Sequence, residues 1–324
     1  MRISPLVGRP PERIVGGMTT ESTNANTANT TNTDDTTLVL GGTGKTGRRV
    51  VERLTAQHRP VRIGSRSGGL PFDWEDRATW APVLRGTSAV YISYFPDLAV
   101  PGAADAIGAF AELAVAEGVR RLVLLSGRGE EEAQAAEKAL AASGADWTVL
   151  RASWFSQNFS EGYLLDPILA GEVALPAGDV GEPFTDADDI ADVAAAVLTD
   201  DGDRHVGKVY ELTGPRLLTF AEAVATIGEA TGRRDLTFVE IPVDDFAAGM
   251  VAEGVPGDIV ALLRYLFTTV LDGRNASLGD GVEQALGRPA RDFADYARST
   301  AATGIWNTNA NTNANAAQNE EVRP

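Results

Sequence analysis

Short apolar runs alternate with longer segments of helical periodicity through the middle of the chain. The segments between the apolar runs are rich in alanine and carry their apolar residues at helical spacing, which predicts helices over 48–57, 103–117 and 131–143. This alternation is typical of an α/β fold with a Rossmann-type, doubly wound parallel sheet. The predicted strands are 38–40, 60–64, 89–93, 121–125, 147–151 and 209–212.

The pattern changes after residue 152 and stops at both ends of the chain. Residues 153–163 are aromatic and polar, a helix is predicted over 220–231 with Thr219 as its N-cap, and 243–302 is mainly helical. We therefore expect one domain over 37–306, with the cofactor part at about 37–152 and a smaller, mainly helical substrate lobe mostly within 153–306. The polar ends, 1–36 and the Asn/Thr/Ala-rich 307–324, have the composition of disordered tails.

Composition excludes several classes of function. The chain has 324 residues, a net charge of −17 and no cysteine, so disulfides, thiolate metal sites and cysteine nucleophiles are absent. The acidic balance argues against a nucleic-acid partner, and no apolar run is long enough to span a bilayer. The two histidines lack metal-ligand spacing, and we expect both at the surface and no metal site. A cytoplasmic location is the default expectation.

A glycine-rich stretch follows the first predicted strand directly. Its G-x-x-G-x-x-G spacing lets the backbone turn sharply and approach a pyrophosphate at the N-terminus of the next helix. A triphosphate-binding loop is excluded, because the glycine it needs five residues before Gly44-Lys45 is replaced by Val39. The expected cofactor-binding residues of this stretch are Gly41, Thr43, Gly44, Lys45, Thr46 and Gly47.

The end of the second predicted strand indicates which dinucleotide fits. A site for NAD usually has an acidic residue there, whereas a site for NADP supplies an arginine for the 2′-phosphate. Residues 63–67 contain no acid, and Ser65 with Arg66 could clamp that phosphate. NADP(H) is therefore favoured over NAD. Tyr94 and Phe95 follow a later strand where the cofactor would pass, and we expect them to stack against it or to pack in the core.

Five motifs that occur in order give the chain a specific resemblance. Over about residues 37–306 it resembles the NmrA-like atypical short-chain dehydrogenases/reductases, and among them the festuclavine dehydrogenase-like proteins of ergot alkaloid biosynthesis type. The resemblance implies an NADP(H)-bound Rossmann domain, with Asp73 and Trp74 where family members pass the adenine. Some members bind NADP(H) as sensors and catalyse nothing. The motifs are the glycine stretch 41–47, 65–68, 72–74 with 79–80, 154–159 and 183–190.

The superfamily's usual catalytic set is incomplete here. It uses Tyr-x-x-x-Lys on a helix together with a serine at the end of the preceding strand. Ser126 and Lys138 stand at the serine and lysine positions, but Gln134 replaces the tyrosine. The resemblance implies that Lys138 contacts the nicotinamide ribose or polarises a substrate through Ser126; the alternative is a lysine on the helix surface beside Glu137. These two residues are the expected catalytic residues.

The missing tyrosine affects which reaction is expected. Reducing a ketone creates an alkoxide that needs a proton or an oxyanion partner, whereas an iminium cation needs hydride alone. We therefore expect NADP(H)-dependent hydride transfer to a small, electron-poor acceptor that is iminium, quinone or enone-like and aromatic or heterocyclic. The alternative is a non-catalytic NADP(H)-binding redox sensor that acts through a protein partner. The expected substrate-binding residues are Trp154, Phe155, Asn158, Phe159 and Tyr163; the alternative is that at least half of these side chains belong to a core cluster that joins the lobes.

Overall fold

The computed structural model describes residues 36–66 and 69–307, and the predicted tails lie outside the described residues except for 36 and 307. All six strands predicted from the sequence are present. The described residues contain eight strands in all, namely β1 (Thr36–Leu40), β2 (Val61–Gly64), β3 (Thr87–Ile92), β4 (Arg121–Gly127), β5 (Asp146–Ala152), β6 (Glu172–Leu175), β7 (Lys208–Leu212) and β8 (Thr237–Glu240).

Eleven α-helices connect or follow these strands in the described part of the chain. They are α1 (Gly47–Ala56), α2 (Trp80–Leu84), α3 (Ala103–Ala116), α4 (Glu131–Ala142), α5 (Leu165–Ala170), α6 (Ala187–Thr199), α7 (Phe220–Thr231), α8 (Val243–Ala252), α9 (Gly257–Tyr265), α10 (Gly281–Leu286) and α11 (Phe293–Ala302). A π-helical turn, Leu266–Val270, continues α9. None of the described helices is long and apolar enough to cross a membrane.

Six of the strands form one parallel sheet in the order β2-β1-β3-β4-β5-β7. The order reverses between β1 and β3, and ligands of open α/β sheets bind at the carboxyl ends of the strands beside such a reversal. The sheet confirms the predicted Rossmann-type fold.

Both faces of the sheet are buried, which explains the continuous apolar runs in its strands. In β1 the side chains of Leu38 and Leu40 join a core formed with α2, α3 and α4. Val39 points to the opposite face, where it packs with residues of α1, α6 and α10. The strand is therefore hydrophobic at consecutive positions because each side chain has a buried partner layer.

The later part of the chain contributes to the sheet and also forms a core of its own. The parallel sheet is completed by β7, and its face is covered in part by α6 and α10. A separate aromatic core is formed by α5, α7, α9 and α11. β6 and β8 pair in parallel beside this second core, a feature that the sequence did not predict. The predicted helix 220–231 is present as α7, and Thr219 caps it through a reciprocal pair of hydrogen bonds with Glu222.

The expectation that both histidines lie at the surface is half wrong. His58 is exposed, but His205 is buried and its Nδ1 lies 2.7 Å from the hydroxyl of Tyr210. Burial lowers the pKa of His205, which favours the neutral ring beside that hydroxyl. The contact with Tyr210 of β7 explains why His205 is buried, and no sequence pattern predicted this contact.

Two glycines allow a test of the backbone packing. A Cβ at Gly47 would lie 2.2 Å from the carbonyl oxygen of Gly41, whereas a Cβ at Gly249, inside α8, would meet nothing within 4 Å. Gly47→Ala should therefore lower the free energy of unfolding by at least about 2 kcal/mol through overpacking. Gly249→Ala should raise it by up to about 1 kcal/mol, because alanine has the higher helix propensity. Urea denaturation of both variants checks this, and equal effects would contradict the close approach.

Candidate functional site

A cavity of about 540 Å³ opens at the carboxyl ends of the central strands. Its floor is formed by the residues that end or directly follow β1, β3, β4 and β5, which the parallel sheet brings to one edge. Leu263, Leu266 and Val270, from α9 and the turn after it, provide an apolar wall. The cavity therefore lies where a doubly wound sheet binds its ligands, and its size suits a small-molecule site.

The glycine stretch forms one side of this cavity. Gly41 has a φ of +64°, and its carbonyl oxygen accepts a hydrogen bond from the N–H of Gly44 at 2.8 Å. Gly47 begins α1 in close contact with that carbonyl group, so no side chain could be accommodated at this position. Gly41, Gly44, Lys45 and Thr46 line the cavity, whereas Thr43 is exposed to solvent. The start of α1 thus faces the cavity, where free N–H groups and the helix dipole favour an anion.

Lys45 joins the glycine stretch to the aromatic segment. Its Nζ donates a hydrogen bond to Oδ1 of Asn158 at 2.5 Å and lies 5.9 Å from the ring centre of Phe155. Burial lowers the pKa of Lys45 to about 8; Glu161 opposes this shift, and the charges of Arg49 and Arg48 add to it. A residue expected to bind cofactor and a residue expected to bind substrate are therefore in direct contact.

Arg66 lies beside the cavity wall rather than in it. Its guanidinium carbon is 5.3 Å from the ring centre of Phe95, a largely exposed side chain that lines the cavity together with Tyr94. Ser65 precedes it, half-buried, and its carbonyl oxygen accepts from the N–H of Phe72 at 3.0 Å. The arrangement leaves a positive charge stacked on an aromatic ring at the edge of the cavity.

Asp73 and Trp74 are not among the residues that line the cavity. Trp74 packs with its ring centre 4.8 Å from that of Tyr94 and 5.3 Å from that of Phe110. The carbonyl oxygen of Asp73 accepts a hydrogen bond from Nε1 of Trp80 at 2.9 Å. Asp73 and Trp74 therefore lie outside the cavity lining, with Trp74 in an aromatic cluster next to Tyr94, and their contact with an adenine stays a prediction.

The two expected catalytic residues are not brought together. Ser126 is buried at the cavity floor, but Lys138 is exposed on α4 and lies outside the cavity. The neighbouring Glu137 points inward instead and accepts a hydrogen bond from Oγ of Ser126 at 2.6 Å. Glu137 also accepts from Nε of Arg151 at 3.0 Å, which balances the charge of its buried carboxylate. The expectation for Lys138 is therefore wrong in position, because consecutive helical residues point in different directions.

The aromatic segment contributes four of its five expected residues to the cavity. Trp154, Phe155, Asn158 and Tyr163 line it. Phe159 does not, since its side chain is buried in the second core and its carbonyl oxygen accepts from Nε1 of Trp306 at 2.8 Å. Phe159 is therefore corrected from a substrate residue to a core residue. The hydroxyl of Tyr163 is buried without a hydrogen-bond partner among the described residues, and burial raises its pKa.

Sequence reasoning missed the acidic residues around this cavity. Asp97 and Glu130 line it directly. Glu182 is buried beside it, where it accepts a hydrogen bond from the N–H of Trp154 at 3.2 Å, and burial raises the pKa of Glu182 to about 7. Glu137 could have been found, because it shares a helical face with the apolar Ala133 and Leu140. The other three carry no local signal, since only the fold brings them to the cavity. No group of acidic, histidine or cysteine side chains among the described residues is arranged to hold a metal ion.

Comparison with known proteins gives relatives along most of the chain, although no family model matches it. It is 31% identical over 279 residues to the agroclavine dehydrogenase of Claviceps fusiformis, which covers 81% of this chain and 96% of that protein. It is 33% identical to a (4-alkanoyl-5-oxo-2,5-dihydrofuran-3-yl)methyl phosphate reductase of Streptomyces griseus over 80% of this chain and 95% of the relative.

A solved structure shares the fold over a similar length. The NADPH-dependent quinone oxidoreductase of Escherichia coli, crystallised with NADPH, superposes with a TM-score of 0.68 at 24% identity and covers 81% of this chain and 99% of that one. The two sequence relatives and this structure each match about four fifths of the chain. The chain belongs to the NmrA-like atypical short-chain dehydrogenases/reductases, a family of oxidoreductases that includes the festuclavine and agroclavine dehydrogenases.

Proposed function

We propose that the cavity binds NADP(H) and that the protein is a reductase that passes hydride to a small, electron-poor acceptor. The observation that carries the proposal is the shape of one cavity, which is bordered by the glycine stretch on one side and by the aromatic segment 154–163 on the other. A dinucleotide and a second, flat molecule can therefore meet at the carboxyl ends of β4 and β5.

The residues on the cofactor side fit NADP(H). The close approach at Gly47 and the start of α1 would provide a cradle for the pyrophosphate, and a Cβ at position 47 would collide with the backbone of Gly41 that forms it. Arg66 would hold the 2′-phosphate, and its stacking on Phe95 keeps the guanidinium beside the cavity. The relatives' names support this cofactor class, since the Escherichia coli neighbour is described as complexed with NADPH.

Lys45 would change role when the cofactor is bound. In the described structure its ammonium group is buried, with the Asn158 side chain as hydrogen-bond acceptor. Its pKa, lowered to about 8, makes the charge costly, and an added phosphate charge would favour the protonated form. Cofactor binding would therefore stabilise the protonated form of Lys45, which would hold the Asn158 amide in place.

The acceptor side of the cavity is mostly apolar and aromatic. Trp154 and Phe155 face the aliphatic side chains of Leu263 and Leu266, which suits a flat ring system. When bound, NADPH supplies a hydride, while the side chains of the cavity exclude water and orient the acceptor. Because the superfamily's tyrosine is missing, acceptors of the iminium, quinone or enone type are favoured over simple ketones.

The 2′-phosphate assignment is tested by Arg66→Ala. The variant should bind NADPH at least about tenfold more weakly than the wild type, because a charge-assisted bond to phosphate is lost, while NADH affinity changes little. Titration of NADPH and NADH fluorescence measures both affinities. Arg85→Ala removes an exposed arginine elsewhere and should leave both unchanged. Equal losses for NADPH and NADH in Arg66→Ala would contradict the assignment.

The reductase activity is tested by NADPH consumption with a panel of acceptors. Iminium, quinone and enone compounds should be reduced, and simple aliphatic ketones should react at least about a hundredfold more slowly, because their alkoxide product needs stronger stabilisation. Absorbance of NADPH and mass spectrometry of the products give the rates. A protein that binds NADPH tightly but consumes none with any acceptor would contradict the proposal and leave a cofactor-binding sensor.

A further inference from the structure

Two acidic side chains in the cavity wall have no role in the proposal above. Asp97 follows β3 and Glu130 occupies the N-cap position of α4, and both line the cavity. The two carboxyl groups lie close enough for each to affect the pKa of the other. Two carboxylates at such a distance repel strongly, so the pair is stable in a low-dielectric site only when it shares a proton.

The environment of Glu130 distinguishes it from an ordinary surface acid. Glu130 is 7% exposed, and its Oε2 is buried without a hydrogen-bond donor among the described residues. A carboxylate oxygen left in this state is costly, whereas a protonated carboxyl group can donate to an oxygen placed beside it. A proton on the Glu130 carboxyl group would remove the cost of this unpartnered oxygen, while the residue itself borders the cavity.

A glycine makes room for this carboxyl group. A Cβ at Gly127, the last residue of β4, would lie 2.0 Å from Oε1 of Glu130. The carboxyl group is thus packed against the end of β4, next to Ser126 on the cavity floor. Because the fold keeps this space free of a side chain, the Glu130 carboxyl has a defined place at the point where cofactor and acceptor meet in the proposed function.

The charges around the pair place the shared proton on Glu130. Asp97 accepts a hydrogen bond from the N–H of Ala99 at 2.9 Å, which stabilises its anionic form. Glu130 is instead faced by the like charges of Glu132 and Glu137. Burial first, and Asp97 with these neighbours second, raise the pKa of Glu130 to about 9.

The nearby groups that could reverse this assignment are already engaged. Arg128 is paired with Glu211 at 2.8 Å and donates to the carbonyl oxygens of Asn275 and Ser277. The hydroxyl of Tyr265 donates to Glu132 at 2.8 Å. Arg128 therefore directs its charge to Glu211 rather than to Glu130, and the raised pKa of Glu130 favours its protonated form.

We propose that Glu130 is the proton donor of the reaction and that Asp97 is the residue that positions it. The proposal rests on the reductase function proposed above and narrows the acceptor to a conjugated carbonyl compound of the enone type, whose oxygen gains a proton on reduction. In this proposal the carboxyl pair takes the place of the superfamily's proton-donating tyrosine. Reduction of an iminium acceptor would not require this proton donor, because it needs hydride alone.

The step balances in atoms and electrons. The acceptor carbon gains a hydride, and with it two electrons, while NADPH is oxidised to NADP⁺. The O–H bond of Glu130 breaks as a new O–H bond forms on the acceptor oxygen, and the resulting enol rearranges to the saturated carbonyl product. The Glu130 carboxylate then regains a proton from solvent through the open cavity.

Infrared titration of the cofactor-free protein tests where the proton resides. The wild type should show a protonated carboxyl band that disappears as the pH rises through about 9, and Glu130→Gln should lack it. Glu131→Gln, an exposed neighbour on the same helix, should retain the band. A wild-type spectrum in which every carboxyl group titrates at ordinary acidic pH would overturn the proposal, whatever the activity of the enzyme.

Kinetics with two acceptors test whether the proton is used. With an enone, Glu130→Gln should lower kcat about 100-fold, and the wild-type rate should fall as the pH rises through about 9, because only the protonated carboxyl group donates. With an iminium compound the loss should be at least about tenfold smaller, since no proton is required. Glu131→Gln should behave as the wild type with both acceptors.

The outcomes separate this proposal from the one it rests on. Equal losses with both acceptors at unchanged NADPH affinity, or no loss with the enone, would overturn the donor role while the reductase function stands. A wild type that binds NADPH and reduces neither acceptor would refute the reductase function and the donor role together. Circular dichroism and NADPH titration of Glu130→Gln exclude misfolding as the cause of a loss.

Discussion

The close approach of the start of α1 to the end of β1 determines the geometry of the whole site. This approach is possible because Gly47 has no side chain and Gly41 has a left-handed backbone conformation. The N-terminus of α1 can therefore face the cavity after only a short loop from the end of β1. The parallel order of the sheet then brings the ends of β3, β4 and β5 to the same edge. A cavity beside this helix N-terminus follows from these two constraints, before any catalytic side chain is considered.

The second constraint is electrostatic. The cavity wall holds Asp97 and Glu130, and close to it Glu137 and Glu211 are paired with Arg151 and Arg128. Glu137 and Glu211 thus have arginine partners, whereas no arginine or lysine among the described residues is paired with Asp97 or Glu130. This separation of roles gives the protein both a rigid charged support under the floor and a group that can give up a proton into the cavity.

Local pattern was sufficient to predict the fold and the glycine stretch that borders the cavity, whereas the role of that stretch in binding a cofactor stays a prediction. The six strands, the glycine stretch and the capped helix α7 each depend on residues that are neighbours in sequence, so periodicity and spacing reveal them. The lining by Trp154, Phe155, Asn158 and Tyr163 was also accessible, because the segment follows β5 directly. The β6–β8 pair was missed because its strands are short and far apart in the chain.

The acidic residues at the cavity could not be predicted from the sequence, and the reason is physical. The pairing of Asp97 with Glu130 and the apolar wall from α9 depend on contacts between distant segments, and neither residue type nor spacing encodes such contacts. Lys138 was expected at the site from the family's pattern, yet one residue along a helix rotates a side chain by about 100°. Glu137 takes the inward position instead, so the family's serine is retained with a different partner.

Direct hydride transfer within the cavity is the central claim, and isotope transfer tests it most directly. NADPH carrying deuterium at C4, prepared in both stereochemical forms, is mixed with the protein and an enone for a single turnover. The account predicts that one of the two forms delivers its deuterium to a carbon of the product, in an amount equal to the NADP⁺ formed. NADPH oxidation that leaves the product without deuterium from either form would contradict it.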